Sequence, residues 1–161
     1  MVWPNDVLSI ILAVVFGTAI GLEREVSGKS AGLRTNVLIC LGAAVFSIIS
    51  RQMAAGTNAS LTRIAAQIVT GVGFLGAGAI IRDRAGVRGL TTATTIWLVA
   101  SIGMACGAEL YLLATISTLI TIVVLLGLAK LEVVLERYRK KHRAAQPPGE
   151  GKQTVQNNSG S

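Results

Sequence analysis

Five stretches of the chain, 7–22, 35–50, 64–81, 90–106 and 110–129, contain no Asp, Glu, Lys or Arg. Few folds tolerate that. A bilayer core ~30 Å thick needs about 20 apolar residues in a helix, and somewhat fewer where the bilayer thins or flanking side chains snorkel. Five spans are therefore expected, the first two short at 16 residues each. Trp3 and Pro4 would extend the first at the interface, where Trp prefers to sit. A soluble core offers no alternative home for these runs. Of 161 residues 52% are hydrophobic and 14% charged, and a small soluble fold leaves too much surface in water to cover so much apolar material. The expected fold class is all-α, a polytopic transmembrane helical bundle of five spans.

The distribution of Lys and Arg predicts the orientation, because basic residues accumulate on the cytoplasmic side. Arg24, Lys29 and Arg34, then Arg82, Arg84 and Arg88, then seven more after residue 129 fall on one side, and only Arg51 and Arg63 on the other. Five spans with the N-terminus outside and the C-terminus inside satisfy this pattern. The expected location is a bacterial inner membrane, multi-pass. The segment before the first span, residues 1–6, has no Lys or Arg, and no A-x-A-like cleavage site follows, so a retained span rather than a signal peptide is expected. Three regions result: a transmembrane domain over 1–129, a basic helical extension over 130–143, and a tail over 144–161. In the extension Leu131, Val134, Leu135 and Tyr138 keep a helical stripe among cations that anionic headgroups attract. The Pro, Gly, Gln, Asn and Ser composition of the tail predicts disorder.

Several function classes drop out. The net charge of +7 comes with only 4% aromatic residues, and its cations lie between apolar runs rather than interleaved with stacking rings, so no nucleic-acid partner is expected. Cys40 and Cys106 sit inside apolar runs without metal-ligand spacing, and read as small buried hydrophobes. His142, the sole histidine, has no ligand-type neighbours. With no nucleophile and base to pair, the chain is not expected to be an enzyme, and no cofactor is expected.

Gly71, Gly73 and Gly76 spell G-x-G-x-x-G, but they fall in mid-run with Thr91 and Thr92 where the acidic residue of a dinucleotide site belongs. Helix packing is the stronger reading: Gly73 with Ala77, Gly17 with Gly21 and Gly103 with Gly107 are small-x-x-x-small pairs. Adding Gly78, the density also suits an unwound stretch lining a polar cavity. Gln67, Thr70, Thr91 and Thr92 supply polar groups at membrane depth, the hydroxyls expected to bond carbonyls one turn back or a neighbouring helix. The loop sequence 31–34 (AGLR) recurs at 85–88 (AGVR), each ahead of a Thr-initiated span. The triplets Glu23-Arg24-Glu25 and Arg82-Asp83-Arg84 have opposite signs. Paired across adjacent hairpins they would form a cytoplasmic charge cluster, each exposed pair contributing ~0 to 1 kcal/mol.

Four strings carry a family resemblance: 21–25 (GLERE), 28–35 (GKSAGLRT), 66–78 (AQIVTGVGFLGAG) and 87–93 (VRGLTTA). In their order and spacing the chain resembles the MgtC/SapB family of bacterial membrane proteins. The resemblance implies a role in magnesium homeostasis and growth at low Mg2+, and in virulence through survival of pathogens inside host cells. It points to a modulator of other membrane machines rather than to direct Mg2+ transport. Longer members carry a soluble C-terminal domain, and here the tail stands where it would begin. The family motifs, with Arg82 added from the charge triplet, name Glu23, Arg24, Glu25, Gly32, Arg34, Thr35, Gln67, Thr70, Gly71, Gly73, Gly76, Gly78, Arg82, Arg88, Gly89, Thr91 and Thr92 as functional candidates. Glu23 and Glu25 are the weak metal candidates. Expected partners are the bilayer and either another membrane protein or further copies of the chain. A small oligomeric ion or solute transporter is the competing function.

Overall fold

The structure, a computed structural model, describes residues 4–54, 61–84 and 86–144, with five helices and one hairpin among them. The helices are α1 (Pro4–Val26), α2 (Leu33–Ala54), α3 (Leu61–Gly78), α4 (Leu90–Gly107) and α5 (Tyr111–Ala144). Strands β1 (Ile81–Asp83) and β2 (Gly86–Arg88) pair antiparallel between α3 and α4, Ile81 facing Arg88 and Arg82 facing Val87. α1, α2, α4 and the part of α5 up to Leu128 are long and apolar enough to cross a membrane, and Ala65–Gly78 of α3 is a shorter apolar helix. The chain is a helical membrane bundle. The tail from 145 onward, together with Trp3, lies outside the described residues.

Residues 1–125 form one compact unit and 126–161 a second. Within the first, α2 packs on both α1 and α4, α1 also meets α4, and α3 lies against α4 and α2. The core cluster includes Ala13 and Ile20 of α1, Cys40 and Ala44 of α2, Val99, Ile102 and Cys106 of α4, and Ala114 of α5. Both cysteines are buried and unpaired, as small hydrophobes are. Much of the large apolar surface faces outward instead, for example Leu112, Leu119 and Val123 on α5. Lipid accommodates that face.

Glycine sets how closely the helices approach. A Cβ on Gly17 would meet Cys40 Cβ at 3.0 Å, and one on Gly21 would meet Leu33 Cα at 2.9 Å. On Gly103 it would run into the Cys40 carbonyl, and on Gly107 into that of Ala44. Close backbone approach of this kind drives association where lipid removes the hydrophobic incentive. The expected Gly73 and Ala77 contact is different: a Cβ on Gly73, like one on Gly71 or Gly78, meets nothing within 4 Å. Gly76 alone of that group faces a neighbour, the Ala93 carbonyl at 3.4 Å. Nor is α3 unwound at these glycines, which keep helical geometry to Gly78. Helix closes the backbone bonds of each residue locally, and no packing partner disturbs it there.

The third apolar run ends sooner than expected. The charge-free stretch continues through Ile81, but helix stops at Gly78 and Ile81 opens a strand. The reason lies beyond the helix, where Gly89 adopts a φ of +87° with its α-carbon against the Ala79 carbonyl, a conformation and an approach that only glycine accepts readily. The repeated AG[LV]R string also takes two forms. Leu33 and Arg34 begin α2, whereas Gly86, Val87 and Arg88 form β2.

Candidate functional site

Polar side chains gather at the two ends of the bundle. At the first end α1 finishes with Glu23, Arg24 and Glu25. Gly28, at φ +64°, lets the chain turn back, with the Lys29 amide donating to the Arg24 carbonyl at 3.0 Å. Glu25 then reaches forward to α2, its Oε2 accepting from the Leu33 amide at 2.9 Å. This caps a helix start whose amides otherwise lack partners. Gly32 leaves the room, since a Cβ there would collide with that same Oε2.

Arg24 points inward and is 2% exposed. Its NH2 donates to Thr92 Oγ1 on α4 at 3.3 Å, and its NH1 lies 3.8 Å from Glu23 Oε2. Glu23 Oε1 accepts from Ser27 Oγ at 2.8 Å. Fully buried Asn36 on α2 donates through Nδ2 to the Ala31 and Gly32 carbonyls, both at 2.8 Å. Among the described residues three buried atoms here have no hydrogen-bond partner: Glu23 Oε2, Arg24 Nε and Asn36 Oδ1. Two are acceptors and one is a donor. A group that both donates and accepts would satisfy such a set, whereas a bare cation could not accept from Arg24 Nε. Unsatisfied buried polar atoms cost of order 1–3 kcal/mol each, so their concentration at one end singles this end out.

The structure thus brings together Glu23, Arg24, Glu25, Gly32 and Thr92, and adds Asn36, which the sequence reading missed. Its signal was a lone amide just inside an apolar run, four residues after Gly32. Arg34, Thr35 and Thr91 are exposed at this end. The Thr91 carbonyl accepts from Thr94 and Thr95, and Thr70 Oγ1 donates to Ala66 O at 3.0 Å, the local bonds expected of threonine. Gln67 and Gly71 stand apart, lining an apolar groove of about 580 Å³ between α2 and α3 with Leu38, Gly42 and Phe46. The expected pairing of opposite triplets does not form. Among the described residues no ion pair joins Glu23 or Glu25 to Arg82 or Arg84. The carboxylates are engaged by Ser27, Arg24 and Leu33 within reach of their own helix end.

The second end was not foreseen. Asp6, fully buried in the first turn of α1, accepts from Arg51 and, through Oδ2, from Gln52 Nε2 at 2.9 Å, both at the end of α2. Arg51 also pairs with Glu109 in the turn between α4 and α5. Tyr111 donates to the Asn5 carbonyl at 3.1 Å, and its hydroxyl lies 3.1 Å from Ser9 Oγ. The sequence signal was the alternation of spans, which puts Asp6, Arg51 and Glu109 on one face.

The chain matches the MgtC family over residues 10–134. It belongs to that family. Among MgtC relatives, "Protein MgtC" of Brucella abortus (strain 2308) is 44% identical over 150 residues, covering 91% of this chain and 62% of the relative. "Putative magnesium transporter YhiD" of Escherichia coli (strain K12) is 45% identical over 125 residues, 74% of this chain and 58% of the relative. "Protein MgtC" of Salmonella typhimurium (strain 14028s / SGSC 2262) is 46% identical over 114 residues, 71% of this chain and 48% of the relative. The chain thus spans about half to three fifths of the length of these MgtC proteins. No solved structure matches it.

Proposed function

We propose that this MgtC-family chain is a bacterial inner-membrane protein that supports growth at low Mg2+ by regulating other membrane proteins, with no catalysis of its own. A contribution to virulence belongs to the same reading. The relatives' names connect them to magnesium in the YhiD case, and the family resemblance supplies the regulatory role. The observation that carries the choice of regulator over transporter is the engagement of the two carboxylates. Glu25 caps α2, and Glu23 lies between Ser27 and Arg24. A divalent cation wants several oxygens and net negative charge, and a guanidinium beside the same carboxylate opposes it. The groove along α2 and α3 is apolar and offers a membrane partner a surface.

A small Mg2+ transporter is the second reading, favoured by the unpartnered oxygens of Glu23 and Asn36. Reconstitution into liposomes loaded with a Mg2+ indicator separates the two. The regulator reading expects influx equal to that of empty liposomes from protein that restores growth at low Mg2+ in cells. Saturable influx lost in Glu23→Gln would establish transport instead.

A further inference from the structure

The hairpin between α3 and α4 is more elaborate than a link between two helices requires. Eleven residues, 79–89, separate Gly78 from Leu90, and they form a paired ribbon locked by Gly89 against the Ala79 carbonyl. All six strand residues are exposed. A two-stranded ribbon of this length is not stable alone in water, so its surroundings matter. Because it joins the ends of two apolar helices, it lies where hydrocarbon gives way to headgroups.

Its side chains suit that boundary. Residues paired across strands share a face, so Ile81 lies beside Arg88 on one face and Arg82 beside Val87 on the other. Each face therefore combines an apolar side chain with a guanidinium. Ile81 is 63% exposed and Val87 50%. Arg82, Arg84 and Arg88 are exposed, and none of their guanidiniums has an ion-pair partner among the described residues. The carboxylates that opposite charge would assign to them are held elsewhere.

We propose that this hairpin is a docking element for anionic lipid, the Arg82, Arg84 and Arg88 guanidiniums binding headgroup phosphate while Ile81 and Val87 enter the acyl boundary. Guanidinium meets phosphate through two parallel hydrogen bonds, and cations near an anionic leaflet gain ~1 kcal/mol each. A protein partner would be expected to select one face of the ribbon, but each face sets an apolar side chain beside a guanidinium, with Asp83 added on the Ile81 face. The proposal requires only that the bundle sits in a bilayer, and stands or falls independently of regulation or transport.

The test uses the full chain in nanodiscs of phosphatidylcholine with a minor fraction of phosphatidylglycerol. Protein-bound lipid is quantified by native mass spectrometry and helicity checked by circular dichroism. Wild type should retain phosphatidylglycerol above its bulk fraction. The triple variant Arg82→Gln/Arg84→Gln/Arg88→Gln should keep its helicity and lose affinity for that lipid by about five-fold per arginine, the factor that ~1 kcal/mol represents. Lys29→Gln, an exposed cation in the turn between α1 and α2 and outside the hairpin, should retain it as wild type does. Unchanged retention in the triple variant overturns the proposal, as it would if the hairpin served an acidic protein instead. Equal loss in the lysine variant, or displacement by inorganic phosphate at matched concentration, overturns it too.

Discussion

A single methyl group separates two kinds of glycine in this bundle. At Gly103 an added Cβ would meet the Cys40 carbonyl, and Ala43 Cβ at 3.0 Å, so α2 and α4 would have to part. Overpacking of that sort costs about 1–3 kcal/mol, more where the obstacle is backbone. At Gly73 the same methyl enters open space, and replacing helical Gly by Ala gains about 1 kcal/mol of propensity. Gly103→Ala is therefore expected to lower the unfolding midpoint in detergent micelles, and Gly73→Ala to leave it unchanged or raise it. Equal effects of the two would remove the close α2 and α4 approach from the account. The small-x-x-x-small pattern is the same at both places. It announces that a helix can be approached closely without saying which neighbour does so.

At the scale of elements, the turn from α4 to α5 shows how one residue balances two costs. Glu109 has a φ of +63°, a left-handed conformation that costs a non-glycine residue about 1–2 kcal/mol. Its pairing with Arg51 involves two side chains about one-third exposed, and such a pair contributes only ~0 to 1 kcal/mol. Strain outweighs attraction. Glu109→Gly should thus be neutral or slightly stabilising in micelle unfolding, whereas Glu109→Ala, which keeps the strain and loses the pair, should destabilise. Asp6→Ala should cost more, about 1–3 kcal/mol, because buried Asp6 receives bonds from both Arg51 and Gln52. A ranking with Glu109→Ala as the most damaging of the three would contradict this balance. The helices themselves were legible, since charge-free runs have one comfortable solution in lipid. The hairpin was not, because Ile80 and Ile81 continue the apolar run and only the Gly89 geometry turns the chain. Likewise Glu23, Arg24 and Thr92 could be picked out by their motifs and Asn36 could not, but that Thr92 and Asn36 meet the Arg24 cluster follows only from the packing of α1 against α2 and α4.

For the molecule as a whole, the charge pattern at the two ends bears on orientation. At the Glu23 end Lys29, Arg34, Arg82, Arg84 and Arg88 are exposed, with no ion-pair partner among the described residues. At the other, Arg51 is met by Asp6 and Glu109. Arg51, one of the two exceptions to the basic bias, is thereby neutralised in the folded bundle, and the bias predicts from the sequence a cytoplasmic Glu23 end and a cytoplasmic C-terminus. A C-terminal alkaline phosphatase fusion should accordingly be inactive and a C-terminal green fluorescent fusion bright; the reverse would invert the bundle. The same separation of charges decides whether the two triplets act together. Glu23 and Glu25 are engaged with Ser27, Arg24 and Leu33, and the hairpin arginines face outward, so no direct term couples them. Residues without shared partners combine additively to within about 0.5 kcal/mol. Glu23→Arg should impair growth at low Mg2+ by leaving Arg24 beside a like charge, and adding Arg82→Glu or Arg84→Glu should not restore it, with membrane levels and fusion-reported topology unchanged. Restoration by either partner would mean that the triplets meet in the working state after all. The Glu23 end of the bundle would then be one charge-coupled unit, rather than a buried polar cluster beside a separate cationic hairpin.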